Sequence, residues 1–463
     1  MQIRTVLLWI IIAGALGAGV VLTRPSGATD PAEANPDRWQ SLQIDPARIV
    51  SITRMIEGEP DQVVERTGAG GESWTVSWGG EQAPMLWPAD AMRVRAGTRS
   101  LSTQRVSQTD EDTLGEPTGA LRIVDADGRE LEIAFGGLAT GGFVPIRVDE
   151  RDATGIVQSR WYGRIQNQVR EAFITTGFLP WRSNGLFAGS PAQVTGVSLD
   201  AGSHQVELRR EQGGWLIASP FVSIADPGKS EELIGTLLGL ESLGFVDALD
   251  EGIEAGFERP IAVVSMTHEG GQTWMRIGSQ ADMGGQQVFA RITTPTGEAV
   301  VRVLAENLAK LTPTPEAYVA RTPSRTALSD VARLEILGQD NIIRLTAARS
   351  MGAWMIDGVP ATTQYADAFD RLMQVLTIEP ASGVQVLGID TEPAGSKGSV
   401  RAYDAEGNLL MRFGFGLDSS EAGLRLLVTE ELDTGGQIAW ICTSDEARGT
   451  GAWLTAMASR RAP

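Results

Sequence analysis

The strongest constraint on this chain is that it states one pattern three times. The stretch DPARIVSITR at 45–54 returns as SPAQVTGVSL at 190–199 and again as LSDVARLEIL at 328–337. Each start is followed by a polar turn, a second apolar run and a tryptophan: Trp74, Trp215 and Trp354. The resulting period of about 140 residues is the size of a domain, far longer than a solenoid repeat. The chain therefore reads as three homologous modules in tandem.

Ahead of the modules, Thr5–Thr23 carries no charge over 19 positions. As a helix it would reach about 28 Å, close to the hydrocarbon thickness of a bilayer. An uncleaved anchor is the expectation, because a signal peptide usually has a shorter apolar core. Ser26-Gly27-Ala28 supplies the small residues of the competing reading, a cleavage near Ala28. Arg4 on one side, and Asp30, Glu33 and Asp37 beyond Arg24 on the other, favour a cytoplasmic N-terminus. The bulk of the chain is then expected outside a bacterial cytoplasmic (inner) membrane, on the extracytoplasmic or periplasmic side. The formal charge of −19 argues against nucleic acid, whose phosphates need clustered Lys and Arg. The one cysteine, Cys442, follows an apolar run and reads as a buried small hydrophobe.

The expected division is an anchor at 1–23, a Pro- and Asp-rich tether at 24–44, module 1 at 45–176 and a linker at 177–191. Module 2 follows at 192–310, a linker at 311–327 and module 3 at 328–459. Each module opens with strands up to its tryptophan. A helix follows: Asp90 precedes Met92, Val94 and Leu101, and Asp226-Pro227 precedes Leu233, Leu237 and Leu240. In module 3, Thr362-Thr363 precedes Tyr365, Phe369, Leu372 and Leu376. The second half of each module is strand-rich, with Gly136, Gly278 and Gly414 after its second strand and Arg147, Arg291 and Arg425 on its third. A short closing helix is expected around Ile165–Phe173 and Leu304–Leu311. The expected class is α+β: three modules of antiparallel sheet with packed helices behind one transmembrane helix.

No motif here specifies a chemistry. Asp125-Ala126-Asp127-Gly128 resembles the start of a calcium loop but lacks the remaining ligands, and a hairpin turn needs the same residues. Gly228-Lys229-Ser230 resembles the end of a phosphate loop, yet Ser223 stands where the leading glycine belongs. His204 and His268 have no partners at ligand spacing, so no metal site and no cofactor are expected. The repeat tryptophans read as core. Trp78, Trp87 and Trp161 are the candidates for an exposed binding surface, and Arg147, Arg291 and Arg425 for an anion-lined groove.

The pattern resembles an uncharacterised bacterial family, domain of unknown function 4340. The resemblance rests on Trp87-Pro88-Ala89-Asp90 in module 1. In module 2 it rests on Gly214 to Pro220 with Ala225-Asp226 and the helix to Leu243. Module 3 departs, with Gly358-Val359-Pro360 and Thr362 in place of the proline and Ala-Asp signature. That family has no established activity. Its members tend to pair an apolar anchor with repeated units, some beside genes for ABC-type export systems of the gliding-motility class. The resemblance implies a membrane-anchored binding or scaffold component with a membrane-protein or ABC-transporter partner. A cell-wall polysaccharide binder and a carboxylate-dependent hydrolase are the alternatives.

Overall fold

The computed structural model describes residues 39–460 apart from short stretches at 68–72, 80–83, 110–111, 113, 138–140, 203, 212–213, 248–254, 312–313, 388–395 and 421–422. It contains three antiparallel sheets in two compact units, residues 1–183 and 184–463. The boundary falls inside the expected 177–191 break. Among the described residues 48% lie in strands and 21% in helices. The α+β class is corrected accordingly: the architecture is predominantly β, because each module spends its length on a broad sheet and covers it with little helix. No helix among the described residues is long and apolar enough to cross a membrane. The apolar run Thr5–Thr23 expected as a transmembrane helix lies outside the described residues, as does most of the 24–44 tether.

In module 1 the strands β2 (Ile49–Met55), β3 (Gln62–Thr67), β4 (Ser73–Trp78) and β5 (Met85–Pro88) form one meander. A helix, α1 (Ala91–Thr103), and an edge strand, β6 (Arg105–Thr109), follow. The second meander is β7 (Gly119–Asp125), β8 (Glu130–Phe135), β9 (Phe143–Arg151) and β10 (Val157–Gln166). Pairing of β2 with β7 fuses the two meanders, and β6 joins beside β10. Among the described residues, module 1 alone adds an outer strand, β1 (Trp39–Ser41), on β6.

Modules 2 and 3 repeat this nine-strand order. In module 2, β11 (Val194–Asp200), β12 (Gln205–Glu211), β13 (Gly214–Ser219) and β14 (Ser223–Ile224) precede helix α3 (Pro227–Leu238) and β15 (Gly244–Phe245). Then come β16 (Ala262–His268), β17 (Gly271–Gln280), β18 (Gln287–Thr294) and β19 (Gly297–Leu304). In module 3, β20 (Arg333–Gly338), β21 (Ile343–Ser350), β22 (Ala353–Ile356) and β23 (Val359–Pro360) precede α5 (Thr363–Thr377) and β24 (Gly383–Leu387). The second meander there is β25 (Ser396–Tyr403), β26 (Leu409–Ser420), β27 (Gly423–Glu431) and β28 (Gln437–Cys442).

The helices start where the caps place them. The Asp90 side chain accepts from the amides of Met92 and Arg93, and Asp226 from that of Lys229. Val94 and Leu101 of α1 then join Ile52, Val64 and Ile133 in the core on one face of the sheet. The closing helices of the first two modules are short, α2 (Asn167–Arg170, continued by a π turn) and α4 (Ala305–Leu308). Module 3 ends instead on a long helix, α6 (Asp445–Ala458), capped by Ser444, which the sequence reading did not anticipate.

The repeat tryptophans are 5%, 3% and 4% exposed. Each is paired across the sheet with an arginine on the preceding strand: Arg66 with Trp74, Arg210 with Trp215, Arg349 with Trp354. The guanidinium lies 4.9, 4.7 and 5.6 Å from the ring centre, respectively. Each arginine also donates to backbone carbonyls of the turn that opens its module. Arg66 reaches Ala47 at 3.0 Å, Arg210 reaches Pro191 and Ala192 at 3.2 Å, and Arg349 reaches Leu328 at 2.9 Å. The tryptophan carbonyl in turn accepts from the alanine just before each helix cap, Ala89, Ala225 or Ala361. Strand, opening turn and helix start are thus locked at one point.

The returning chain closes over the same point. The Asp90 amide donates to the Trp181 carbonyl, and the Asp226 amide to that of Tyr318. Residues 318–325, within the stretch expected as the second linker, are packed into unit 2. Arg325 donates to the Ala225 carbonyl at 2.5 Å, while the Ala320 carbonyl accepts from the Trp440 indole at 2.8 Å. Burial pushes the Arg325 guanidinium down and the Tyr318 hydroxyl up to about 12.

Removing a repeat tryptophan empties a filled core and strands its arginine. Trp215→Ala is expected to cost about 3–5 kcal/mol. Chemical denaturation checks this, and an unchanged midpoint would show that the residue is not core.

Candidate binding surface

The face of each sheet opposite the helices is where the modules differ. In module 1 it carries a ladder of ion pairs. Asp149, 1% exposed, receives Arg160 at 2.6 and 3.0 Å and lies 3.2 Å from Arg147. Glu130 and Glu132 bridge Arg122 and Arg151 across neighbouring strands. Burial pushes the Asp149 carboxyl up, but the Arg160 hydrogen bonds and the charges of Arg147, Arg160 and Arg151 outweigh it and hold it below the usual carboxylate range. Here the charges satisfy one another.

In module 2 the same face holds a hollow of about 670 Å³. Cross-strand register arranges its lining in two rows. One runs Glu207, Ser198, Ser265, Trp274 across β12, β11, β16 and β17; the other runs Arg209, Gly196, Thr267, Gln272. Small residues make the floor. Arg209 holds Glu207 at 3.0 Å on one side, and on the other Gln272 donates to the buried Ser265 hydroxyl at 3.1 Å. The Trp274 indole stands over the edge, 41% exposed. Beyond it the Ala255–Phe257 loop crosses the sheet and rests on Gly278, where a β-carbon would lie 1.9 Å from the Ala255 carbonyl oxygen.

Module 3 has a third version, a polar hollow of about 650 Å³. Ser399, Gly414 and Thr429 lie in one cross-strand row, with Arg412, Glu431 and Gln437 at its border. The Ser399 hydroxyl and the Gln437 amide oxygen are buried there without a hydrogen-bond partner among the described residues. Glu430 on β27 has its carboxyl pushed up to about 7, by burial first and by the charge of Asp433 second.

The residues expected to bind do not converge. Trp87, expected at an exposed surface, is 1% exposed, with its indole N–H held by the Ser183 carbonyl at 3.0 Å. Its edge strand is covered by the returning 179–183 segment, a tertiary effect that local pattern does not report. Trp78 and Trp161 are half-buried against the module 1 core, and Arg182 lies 5.0 Å from the centre of the Trp78 ring. Arg147 belongs to the ion-pair ladder. Arg291 holds an equivalent register on β18, stacking on Phe257 at 4.6 Å and pairing with Glu298 at 3.5 Å. Arg425 is out of step with them: it faces Asp418, on the other side of Gly414. The surface aromatic that sequence reasoning missed is Trp274, whose strand alternates Thr273, Trp274, Met275 without revealing which side faces the core.

The remaining motifs are structural. The Asp125 side chain accepts from the amides of Asp127 and Arg129 around Gly128, whose φ is +77°, so its carboxylate shapes the turn. Gly228-Lys229-Ser230 is the first turn of α3, and His268 accepts from the Gly270 amide. Burial pushes the Cys442 thiol up to about 12. No protein-family model and no curated protein matches the chain.

The raised Glu430 carboxyl has a consequence for stability. Between its ordinary 4.5 and about 7, the folded chain keeps a proton that the unfolded chain has released. Folding is therefore favoured below pH 4.5, and that contribution is lost as pH rises through 7. Glu430→Gln is expected to stabilise unit 2 by up to about 3 kcal/mol at pH 8 and to change little at pH 4.5. Urea denaturation of both proteins at the two pH values checks this, and an equal effect at both contradicts it.

Proposed function

We propose that this chain is an extracytoplasmic binding or scaffold protein, attached to a membrane through its apolar N-terminal run. The observation that carries the reading is the contrast between one fold repeated three times and three different open faces. The scaffold is constant, while the face is filled by ion pairs in module 1 and left hollow in modules 2 and 3. A frame held constant beneath a varied surface is the arrangement by which binding sites are grafted on folds. Extracytoplasmic placement rests on the charge asymmetry around Thr5–Thr23, and a partner among ABC-type export components rests on the family resemblance alone.

The test is affinity purification of the tagged full-length protein from gently solubilised membranes, with co-purifying proteins identified by mass spectrometry. Transporter subunits in stoichiometric yield, lost on deletion of residues 1–23, are the expected result. A clean preparation without partners would contradict the scaffold reading.

A further inference from the structure

The module 2 hollow has a chemistry of its own. An exposed indole, 41% accessible, stands beside a floor of Gly196, Ser198, Ser265 and Thr267. Strands lie about 4.8 Å apart, so from β12 to β17 the floor spans about 14 Å, the length of two to three sugar rings. Its two ends carry different hydrogen-bonding sets: the Glu207–Arg209 pair offers a carboxylate acceptor and guanidinium donors, and Gln272 offers an amide. The floor is shallow because its side chains are short. Such a surface fits a flat ligand carrying hydroxyl groups along its edges and C–H bonds on its faces.

We propose that this hollow binds a neutral, equatorially linked oligosaccharide, with one pyranose ring stacked on Trp274 and the adjoining rings over Ser198 and Ser265. An aromatic ring with a negative face favours the polarised C–H face of a sugar. Charge supports the neutral class: among the described residues, the side-chain cations lining the hollow are the clasp arginine Arg210 and Arg209, the latter already paired with Glu207, on a chain of net charge −19. The module 1 face provides an internal contrast: Arg122 and Glu132 hold the register positions of Ser265 and Trp274, and the two side chains pair with each other at 3.9 Å. This inference rests on the binding reading above and names the ligand class for one of its surfaces.

The test is isothermal titration of the full-length protein in detergent with cellotetraose and with tetra-N-acetylchitotetraose, alongside Trp274→Ala and Trp274→Phe. The wild type is expected to bind at least one of the two. Trp274→Ala is expected to weaken binding about tenfold or more, with Trp274→Phe between them. Thermal denaturation separates site from fold: an exposed Trp274 should leave the melting temperature unchanged on replacement. Equal affinity of Trp274→Ala and wild type overturns the proposal, as does absence of wild-type binding to both sugars up to about 10 mM. Partner recovery from membranes by Trp274→Ala reports on the scaffold reading separately, because loss of sugar binding with partners retained would sink only the sugar site.

Discussion

The structure depends on a cation held over a buried indole. In every module an arginine on the second strand covers the ring of a tryptophan on the third and donates to the carbonyls of the opening turn. The same tryptophan accepts, through its backbone, from the alanine that leads into the helix. One contact therefore joins the start of the module, its first meander and its helix. An arginine suits this position because its planar fork stacks and donates at once, which an ammonium group cannot do.

From that anchor the rest of the topology follows. The second meander can join only where the first strand leaves an open edge, so β2, β11 and β20 become the shared centre of their sheets. The helix then covers one face, and the opposite face is left to the side chains that point there. Module 1 fills it with Asp149 and its arginines. Module 2 leaves glycine, serine and threonine with an indole at the side, and module 3 leaves a polar hollow in which the Ser399 hydroxyl and the Gln437 amide oxygen have no hydrogen-bond partner among the described residues. Divergence on this face does not disturb the core, because the two faces share only the backbone.

Much of this was legible in the sequence. Trp74, Trp215 and Trp354 marked the period and their burial, and the caps at Asp90 and Asp226 marked the helices. Gly136 and Gly278 were visible as glycines after the second strand, but not that a backbone carbonyl, of Leu114 or Ala255, packs over each. The arginine half of the clasp was not legible. Arg66 stands eight residues before its tryptophan, and Arg210 and Arg349 stand five before theirs, so the three align only in cross-strand register. Arg425 shows the converse: a residue in step by sequence that the register places elsewhere. Trp87, expected at an exposed surface, is buried, and Trp274, given no role from the sequence, is exposed, because burial of an edge strand and choice of sheet face are both decided by distant chain. In module 3, Ala361-Thr362 occupies the place of Ala89-Asp90 and Ala225-Asp226 although the proline signature is gone, since a backbone donor needs no particular side chain.

The most direct measurement is a double-mutant cycle on Arg210 and Trp215, read by denaturation of the full chain. A clasp in which ring, cation and opening turn act together predicts a coupling of at least about 1 kcal/mol. Single-mutant effects that add within about 0.3 kcal/mol would show that the two residues stabilise the module independently, and the account of a shared anchor would be wrong.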